Sequence, residues 1–314
     1  MDYDLCEQFD TLRKYLPDDS SNSTTNDINN LGNIKYYCSN VASEKAECKT
    51  DIDKIKAGCL WLFEQLFLEK KKKNINTVEY IIIWLSYKLN QNTYGGINNL
   101  NDFYNKHIEN NTHYTSCKQG GVDCSSQLNG NTGYTNYKEI IGKRTGLLST
   151  NIGNMSKIYD AFKLLCNIYT EINAKDTQNK KYLENASKFV EKYNELNDPN
   201  NTKDEGYYQV LSTLLNDYNN LTIFCDSNGV DCNDIPSLTS SETEESGMQS
   251  SEKICNDTPS FSIVKKLILA LLIFSTISIF LGIFFKCSLF VLRKRAQKEY
   301  LREKLKNIKK RMNH

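Results

Sequence analysis

The sequence predicts an all-α fold, in which a helical, disulfide-containing ectodomain is followed by one C-terminal transmembrane helix. Several long stretches of the 314-residue chain carry apolar residues at three- and four-residue spacing, and the whole chain has only four prolines. Ten of the eleven cysteines precede an uncharged apolar run near the C-terminus. Together these observations indicate a helical bundle outside the cytosol, where disulfides persist, attached to a membrane.

The stretch "DIDKIKAGCLWLFEQLFLEKK", which begins at Asp51, predicts a helix that is buried over much of its circumference. Trp61, Phe63 and Phe67 widen its apolar face beyond a single stripe. The Lys70–Lys73 run is expected to be a solvated loop that ends this helix. The residues at helical spacing on its apolar face are Ile52, Ile55, Cys59, Leu62 and Leu66.

The next stretch, "NTVEYIIIWLSYKL", is compatible with a strand because it is rich in β-branched residues. A helix is favoured since the run is long for a strand, and since Asn76 and Glu79 have the spacing of a capping box. In that helix one face carries Ile81, Trp84, Leu85 and Lys88.

Four further amphipathic stretches complete the predicted bundle: Ile97–Ile108, Met155–Ile172, Lys180–Leu196 and Glu205–Leu221. After them, "LTSSETEESGMQSSEK" is rich in Ser and Glu and nearly free of apolar residues, which is typical of a flexible stalk. The predicted organisation is an ectodomain over residues 1–232, a stalk over 233–262, a transmembrane helix over 263–292 and a basic tail over 293–314.

The apolar run "LILALLIFSTISIFLGIFF" covers residues 267–285 and nearly spans a bilayer core as a helix. Its C-terminal flank, from Arg293 to Arg311, holds ten Lys and Arg against two Glu. Residues 1–266 hold 28 Lys and Arg against 36 Asp and Glu, a net charge of −8. The positive-inside rule therefore predicts a cytosolic tail and an N-terminal ectodomain on the other side. The start of the chain has no pattern of a cleavable signal peptide.

The tail has an apolar stripe at helical spacing among its charges, so it is a candidate to lie on anionic membrane lipid as an amphipathic helix. The alternative is a solvated flank whose charges only set the topology. The candidate lipid-contacting residues are Arg293, Lys294, Arg295, Lys298 and Arg302.

Two octets share the pattern C-x3-G-V-D-C: "CKQGGVDC" at residues 117–124 and "CDSNGVDC" at 225–232. Six residues between cysteines exceed the spacing usual for zinc knuckles and redox pairs, and the remaining ligands of a calcium loop are missing. We expect two hairpin-like turns, each closed by a local disulfide, with Gly120-Gly121 and Asn228-Gly229 supplying positive φ. The second occurrence of the pattern is compatible with convergence on one type of turn or with chance.

The even number of cysteines before the apolar run indicates disulfides in the rest of the ectodomain as well. The candidates for disulfide pairing are Cys6, Cys38, Cys48, Cys59, Cys117, Cys124, Cys225 and Cys232.

No pattern of catalytic or cofactor chemistry is found in the sequence. The histidines are His107, His113 and the terminal His314, without the carboxylate motif of a catalytic zinc site. The chain lacks a P-loop, a dinucleotide fingerprint, G-x-S-x-G and H-E-x-x-H. The sequence therefore predicts a protein that is not an enzyme, with no cofactor, no metal and no nucleic-acid partner.

Four segments carry a resemblance to a known family: "CEQFDTLRKYLPDD", "YYCSN", "CKTDIDKIKAGCLWLFEQLF" and the single C-terminal span with its basic tail. They resemble the Plasmodium interspersed repeat (pir) family, and the rodent-malaria branch in particular. The resemblance implies variant proteins exported to the infected erythrocyte membrane or to exported parasite membranes. It implies immune evasion and adhesion, with a host-cell receptor or antibody as partner. The alternative is a trafficking or remodelling component of the exported compartments.

Two polar segments are the expected positions of variable or receptor-facing surface, because loops tolerate change. They are "NTHYTSCKQGGVDCSSQLNGNTG", residues 111–133, and Ser20–Asn33. Their composition is also that of ordinary solvated loops.

Overall fold

The structure is a computed structural model that describes residues 1–19, 26–39, 46–92, 94–174, 180–198 and 203–238. Its first compact unit is Met1–Glu242, and the second, Thr243–His314, lies outside the described residues together with the predicted span and tail. Within the described ranges, no helix is both long enough and apolar enough to cross a membrane.

The described residues are mostly helical, as the sequence predicts. The longer helices are α1 (Tyr3–Arg13), α2 (Asp51–Glu64), α3 (Thr77–Asn90), α10 (Tyr159–Asn173), α11 (Lys181–Leu196) and α12 (Glu205–Asn219). The shorter ones are α4 (Leu100–Phe103), α5 (Thr112–Thr115), α6 (Ser125–Thr132), α7 (Tyr137–Gly142), α8 (Thr145–Leu148), α9 (Ile152–Ser156) and α13 (Leu221–Asn228).

Four irregular helical turns and one small hairpin complete the described elements. The hairpin is formed by β1 (Lys118–Gln119) and β2 (Val122–Asp123). The 3₁₀ turns are Ile28–Asn30 and Ile34–Tyr37. The π-helical turns are Gln65–Glu69, which continues α2, and Tyr104–Ile108, which continues α4.

Helix α3 lies at the centre of the unit and packs against α2, α9 and α10. Its residues are buried on every side, including Trp84, which is fully inaccessible. The strand-like composition of this stretch thus reflects a helix enclosed by its neighbours, and the prediction of a helix is confirmed. Helix α10 packs in turn against α1, α11 and α13.

Helix α2 approaches α3 closely at Gly58. A Cβ atom at this position would lie 2.9 Å from Cη2 of Trp84, closer than side chains tolerate. The glycine in "KAGCLW" is therefore required by the packing of two helices and not by a turn, since its φ is negative.

The predicted capping box at the start of α3 is wrong. Asn76 is already helical in its backbone, and its side chain makes no cap. The side-chain oxygen Oδ1 of Asn76 instead accepts a hydrogen bond from Arg144 at 2.6 Å, and the Glu79 carboxylate accepts from Arg144 and from Gln209. Leaving the buried Glu79 carboxylate without partners would cost more free energy than leaving the end of the helix without a side-chain cap.

The Lys70–Lys73 run is not the free solvated loop that the sequence suggests. Lys70 Nζ lies 3.1 Å from Asp4 and 3.0 Å from Glu7, so the run folds back onto the acidic first turns of α1. Lys72 forms a further pair with Asp2 at 2.5 Å. The paired lysines hold the pKa of Asp4 below its ordinary value although partial burial acts in the opposite direction.

Two of the predicted helices are interrupted. Met155–Ile172 divides into α9 and α10 between Ser156 and Tyr159. Ile97–Ile108 becomes helical only at Leu100, after an Asn99 capping box, and it ends as the π-helical turn. The apolar period continues across the first break because Ile158 is also fully buried.

Four disulfides cross-link the described unit. Cys6–Cys166 joins α1 to α10, Cys38–Cys48 closes the loop before α2, and Cys117–Cys124 and Cys225–Cys232 close the two octets.

The sequence-based assignment of Cys59 to a disulfide is wrong, and Cys6 pairs with Cys166, which was not among the candidates. Cys59 is a free thiol on the buried face of α2. Burial raises the pKa of the Cys59 thiol to about 12, so it stays protonated. A residue on this helix face packs into the core, and Cys59 reaches no second cysteine among the described residues.

Candidate recognition surface

The first octet forms a β-hairpin whose base is buried and whose tip is exposed. Cys117 and Cys124 are nearly inaccessible, and the Cys124 amide donates to the Cys117 carbonyl at 3.1 Å. Between them, Lys118 of β1 lies opposite Asp123 of β2 in the antiparallel ladder. We call residues 118–123 the hairpin tip.

The two glycines make the turn possible. Gly120 and Gly121 have φ of +55° and +84°, the left-handed values that a tight two-residue hairpin turn requires. The neighbouring Val122 is 70 % exposed, which is the most exposed of the large apolar side chains described. The turn therefore presents an apolar side chain directly to solvent.

A buried carboxylate anchors the hairpin from below. Gln119 Nε2 donates to Glu64 Oε1 at 3.1 Å and also to Glu69. The Tyr37 hydroxyl donates to the second oxygen of Glu64, which is only 3 % exposed. Burial, together with the Glu64 charge, raises the pKa of Tyr37, so the hydroxyl remains a donor. These bonds connect the hairpin to the 3₁₀ turn Ile34–Tyr37 and to the end of α2.

Helix α6, which follows the hairpin, is attached to the same π-helical turn. Gln127 Nε2 donates to the Leu68 carbonyl at 3.0 Å, and Asn131 Nδ2 donates to the Phe67 carbonyl at 2.8 Å. A π-helical turn changes the backbone hydrogen-bonding pattern, and such turns are frequent at functional sites. The polar segment 111–133 is thus held by specific bonds and is not a loose loop.

The two segments predicted to face a receptor meet at one cleft of about 220 Å³, which we call the hairpin cleft. Asn33 comes from the segment Ser20–Asn33, and Gly120 and Gly121 come from the hairpin tip. The remaining lining residues are Tyr36, Tyr37, Thr112, His113, Ser116 and Lys118. No spacing in the sequence signals this proximity, since the two segments are separated by α2, α3 and α4.

His113 lines the hairpin cleft and is 8 % exposed. Its ring meets Tyr37 edge-on, with the ring centroids 5.3 Å apart, and Nε2 has no hydrogen-bond partner among the described residues. Burial lowers the pKa of His113, although a hydrogen bond to the Ser39 backbone raises it. The ring is therefore neutral at pH 7.

His107 lies elsewhere, on the π-helical turn after α4, and it contacts Phe103 with the ring centroids 5.0 Å apart. Burial, with nearby lysines, lowers the pKa of His107 to about 4. The part of the chain that the structure describes contains no group of three or more His, Cys, Asp or Glu side chains suited to a metal ion.

The second octet has a different structure from the first, which corrects the expectation of two similar hairpins. Cys225–Asn228 is the last turn of α13, Gly229 ends the helix with φ +67°, and the Val230 amide donates to the Cys225 carbonyl at 3.0 Å. Val230 is only 6 % exposed, against 70 % for Val122. The same C-x3-G-V-D-C pattern therefore forms an exposed β-hairpin in the first octet and a buried helix end in the second.

A larger cleft of about 380 Å³ lies between the end of α1, the start of α2 and the end of α3. Lys88, placed by the sequence on the apolar face of α3, lines it and is 2 % exposed. Its ammonium donates to the Pro17 carbonyl and lies 3.8 Å from Asp18. Asp19 and Asn26, also in the lining, flank residues 20–25, which lie outside the described residues.

The predicted lipid-contacting residues also lie outside the described residues. They are Arg293, Lys294, Arg295, Lys298 and Arg302. Their role remains a prediction from the sequence.

These features define a disulfide-stapled helical unit that displays a hairpin, and comparisons with known proteins agree with this class. The model of the family "Plasmodium variant antigen protein Cir/Yir/Bir" matches residues 6–286. The chain therefore belongs to this Plasmodium pir family, which confirms the resemblance of the sequence segments.

A solved structure of a Plasmodium PIR protein ectodomain is similar to this chain at 30 % identity and a TM-score of 0.51. The similarity covers 75 % of this chain and 99 % of that one. Among curated proteins, no match is found.

Proposed function

We propose that this chain is a non-enzymatic variant surface antigen of infected erythrocytes, which meets a host-cell receptor or antibody through the hairpin tip. Membership of a variant antigen family supports the antigen role. The single observation that carries the choice of surface is the disulfide-closed hairpin, with an exposed tip on a buried, hydrogen-bonded base.

The hairpin suits both demands that a variant antigen meets. In the tip, Lys118, Val122 and Asp123 are exposed, whereas Gly120 and Gly121 are needed for the positive φ of the turn and Gln119 for the bonds to Glu64 and Glu69. The exposed side chains at the tip can therefore change without disturbing the core. The buried disulfide and the Glu64 bonds keep the tip ordered, which reduces the entropy lost on binding.

In this proposal the described unit is an ectodomain on a stalk, carried by a span over residues 263–292 in the infected erythrocyte membrane or in exported parasite membranes. The apolar run and the basic tail support a single-pass arrangement with the tail cytosolic. The tail then lies on anionic membrane lipid through its arginines and lysines.

A binding experiment with a matched control tests the proposal. The full chain, reconstituted in nanodiscs, is screened against host blood and endothelial cells. Val122→Lys changes the exposed side chain of the tip, and Ile223→Lys changes a similarly exposed aliphatic side chain, 65 % accessible, on α13. We expect Val122→Lys to lose at least tenfold in cell binding and Ile223→Lys to match the unmodified chain. Equal binding by the two variants contradicts the role of the hairpin tip.

The basic tail favours a second candidate, a trafficking or remodelling component of exported membranes that acts through its span and tail. Trypsin added to intact infected cells separates the candidates. Cleavage of the ectodomain supports the surface antigen, and complete protection supports the internal component.

A further inference from the structure

We propose that protonation of His113 detaches the hairpin from its anchor, so that the hairpin tip is held at neutral pH and released in acid. The release itself can be measured without any partner. Its consequence for binding rests on the function proposed above, because the same tip is the proposed binding surface.

The imidazole of His113 occupies a buried site that suits only its neutral form. The residue is 8 % exposed, and Nε2 has no hydrogen-bond partner among the described residues. A neutral imidazole keeps one nitrogen without a proton, and that nitrogen can stay unbonded at a modest cost. A proton on Nε2 would create a buried cationic donor with nothing to accept it, which costs more. Acid therefore acts against this position of the ring.

The charged groups around the hairpin cleft do not compensate an imidazolium at His113. Lys118, the charged residue among those that line the cleft, has the same sign as the imidazolium. The carboxylate of Glu64 is already bonded at both oxygens, since one accepts from the Tyr37 hydroxyl and the other from Gln119. A second positive charge in the cleft is therefore repelled by the first and finds no unbonded oxygen on Glu64.

Helix α7 packs against α5, and its charged side chains are bonded to other groups. Glu139 accepts from the Thr135 amide at 3.1 Å, and Lys138 donates to the Glu109 carbonyl at 3.1 Å. Burial raises the pKa of Tyr137, so this hydroxyl does not ionise near neutral pH. Titration of His113 is thus the change that acid makes at the ring itself.

The contacts of His113 connect the ring to the anchor of the hairpin. The ring meets Tyr37 edge-on with the centroids 5.3 Å apart, and the Tyr37 hydroxyl donates to Glu64. Gln119 of β1 donates to the same carboxylate and also to Glu69. A ring that leaves its site removes the packing that holds Tyr37, and the arrangement that anchors β1 is lost with it.

The backbone provides a second connection between the ring and the hairpin. His113 lies on α5, where the Ser116 amide donates to the Thr112 carbonyl one residue before Cys117. Cys117 is 2 % exposed and leads directly into β1. A displaced α5 therefore moves the start of β1, while the disulfide to Cys124 keeps the hairpin closed. The expected acid form is an intact hairpin that has left its anchor.

The direction of the pH effect follows from the two states of the ring. Burial lowers the pKa of His113 below its ordinary value of 6.5, although a hydrogen bond to the Ser39 backbone acts in the opposite direction. In the released state the ring is solvated and takes the ordinary pKa, so this state binds more protons as the pH falls below 6.5. The opening constant of the hairpin then rises by up to about tenfold between pH 7.5 and pH 5.5.

Hydrogen–deuterium exchange of the full chain in nanodiscs tests the proposal. Exchange is measured at pH 7.5, 6.5 and 5.5 and is corrected for the intrinsic pH dependence of amide exchange. The reporters are the amides of residues 113–124, among them Cys124, which donates to the Cys117 carbonyl. We expect their opening constant to rise several-fold at pH 5.5, with about tenfold as the ceiling, while the amides of α10 keep their protection.

Two variants remove the titrating ring: His113→Phe keeps an aromatic shape, and His113→Gln keeps a polar side chain. In both, the opening constant should be independent of pH over this range. His107→Phe is the matched control, because His107 also has a pKa lowered by burial but does not line the hairpin cleft. The rise should remain in this control. Disulfide mapping by mass spectrometry at pH 7.5 shows that each variant has folded.

Four results overturn the proposal. The first is an opening constant of the unmodified chain that does not change with pH. The second is an equal rise in both His113 variants, which assigns the effect to another group such as Glu64. The third is loss of the rise in His107→Phe. The fourth is an equal rise in the amides of α10, because that is global unfolding in acid.

Failure of this inference is distinct from failure of the proposed function. Host-cell binding at pH 7.5 tests the function, and exchange tests the release without any host cell. If both hold, cell binding by the unmodified chain falls several-fold at pH 5.5 while binding by His113→Phe stays constant. A blank cell screen together with pH-dependent exchange contradicts the adhesive function alone. Cell binding through the tip together with flat exchange contradicts the release alone.

Discussion

Gly58 shows how a single missing side chain sets the distance between two helices. The Trp84 ring of α3 occupies the space where a Cβ would stand, and Leu12 of α1 lies 3.4 Å from the same position. Both neighbours belong to the core, so neither can move without opening a gap. The constraint is invisible in the periodicity of α2, where this glycine resembles a weak point in a helix.

We expect Gly58→Ala to lower the free energy of unfolding by about 1–3 kcal/mol, because overpacking outweighs the helix preference of alanine. Gly130→Ala is the matched control: it lies in α6 with open space around it, and its φ is negative, so it should raise stability by about 0.5–1 kcal/mol. Urea denaturation of a fragment of residues 1–242 measures both. A stable Gly58→Ala variant contradicts the close approach.

At the residue scale, the buried ammonium group of Lys88 makes the free energy of unfolding depend on pH. Burial lowers the pKa of its ammonium to about 8, although Asp18 acts in the opposite direction. Above pH 8 the folded state releases this proton before the unfolded state does, since the ordinary pKa is 10.5. The unfolded state then binds more protons, so this group adds stability as the pH rises.

We therefore expect the stability of the unmodified fragment, relative to Lys88→Met, to increase between pH 7 and pH 9.5 by on the order of 1–2 kcal/mol. The variant has no titrating group here, and the shared tyrosines cancel in the difference. Chemical denaturation at several pH values provides the measurement. A difference that is flat over this range shows that the Lys88 pKa is not lowered.

At the scale of elements, disulfides and polar bonds connect helices that are distant in the chain. Cys6–Cys166 closes the longest loop, with a separation of 160 residues, and ties the start of the chain to α10. Asp18 adds a polar contact in the same region, since it accepts from the Tyr159 hydroxyl at 2.7 Å and lies 3.4 Å from Lys163. The octet disulfides close loops of only eight residues and act locally.

Removing the two kinds of disulfide should have different effects. In the chain-entropy model the Cys6–Cys166 loop contributes about 5 kcal/mol and an octet loop about 2.5 kcal/mol. We expect the double variant Cys6→Ala/Cys166→Ala to be close to unfolded at 37 °C. The double variant Cys117→Ala/Cys124→Ala should retain its helical circular dichroism, but its hairpin tip should become sensitive to proteolysis. An unaltered rate of cleavage at the tip contradicts the view that the disulfide orders it.

For the whole molecule, the pairing pattern leaves one buried thiol within the described residues, Cys59. Its raised pKa and its burial both suppress reaction with alkylating reagents. The unit should therefore behave as fully oxidised until it unfolds.

Mass mapping of natively produced protein should find the four disulfides and an unlabelled Cys59, which is alkylated only after denaturation. Rapid labelling of Cys59 in the folded protein contradicts its place in the core. A mapped bond from Cys59 to another cysteine contradicts the pairing itself.

The sequence by itself determined the helical class, the family and the buried faces of the main helices, because apolar spacing and cysteine-rich composition are properties of local chain segments. The helices α2, α3, α11 and α12 start within about two residues of their predicted positions for this reason. The two octet pairs also follow from local chain closure, since each joins cysteines seven positions apart.

Only the tertiary structure decided the rest, since it depends on what other segments bring to a position. The side chain of Asn76 bonds to Arg144 and does not cap α3. Lys70 and Lys72 form ion pairs with acidic residues at the start of α1. Cys6 forms a disulfide with Cys166, 160 residues away in the chain. The hairpin cleft exists because α2 and its π-helical turn hold two remote loops against each other. The two octets differ because the second contains the end of helix α13, where Val230 is buried, and the first is anchored to the buried carboxylate of Glu64. Burial is a property of the whole fold, so the local sequence does not decide it.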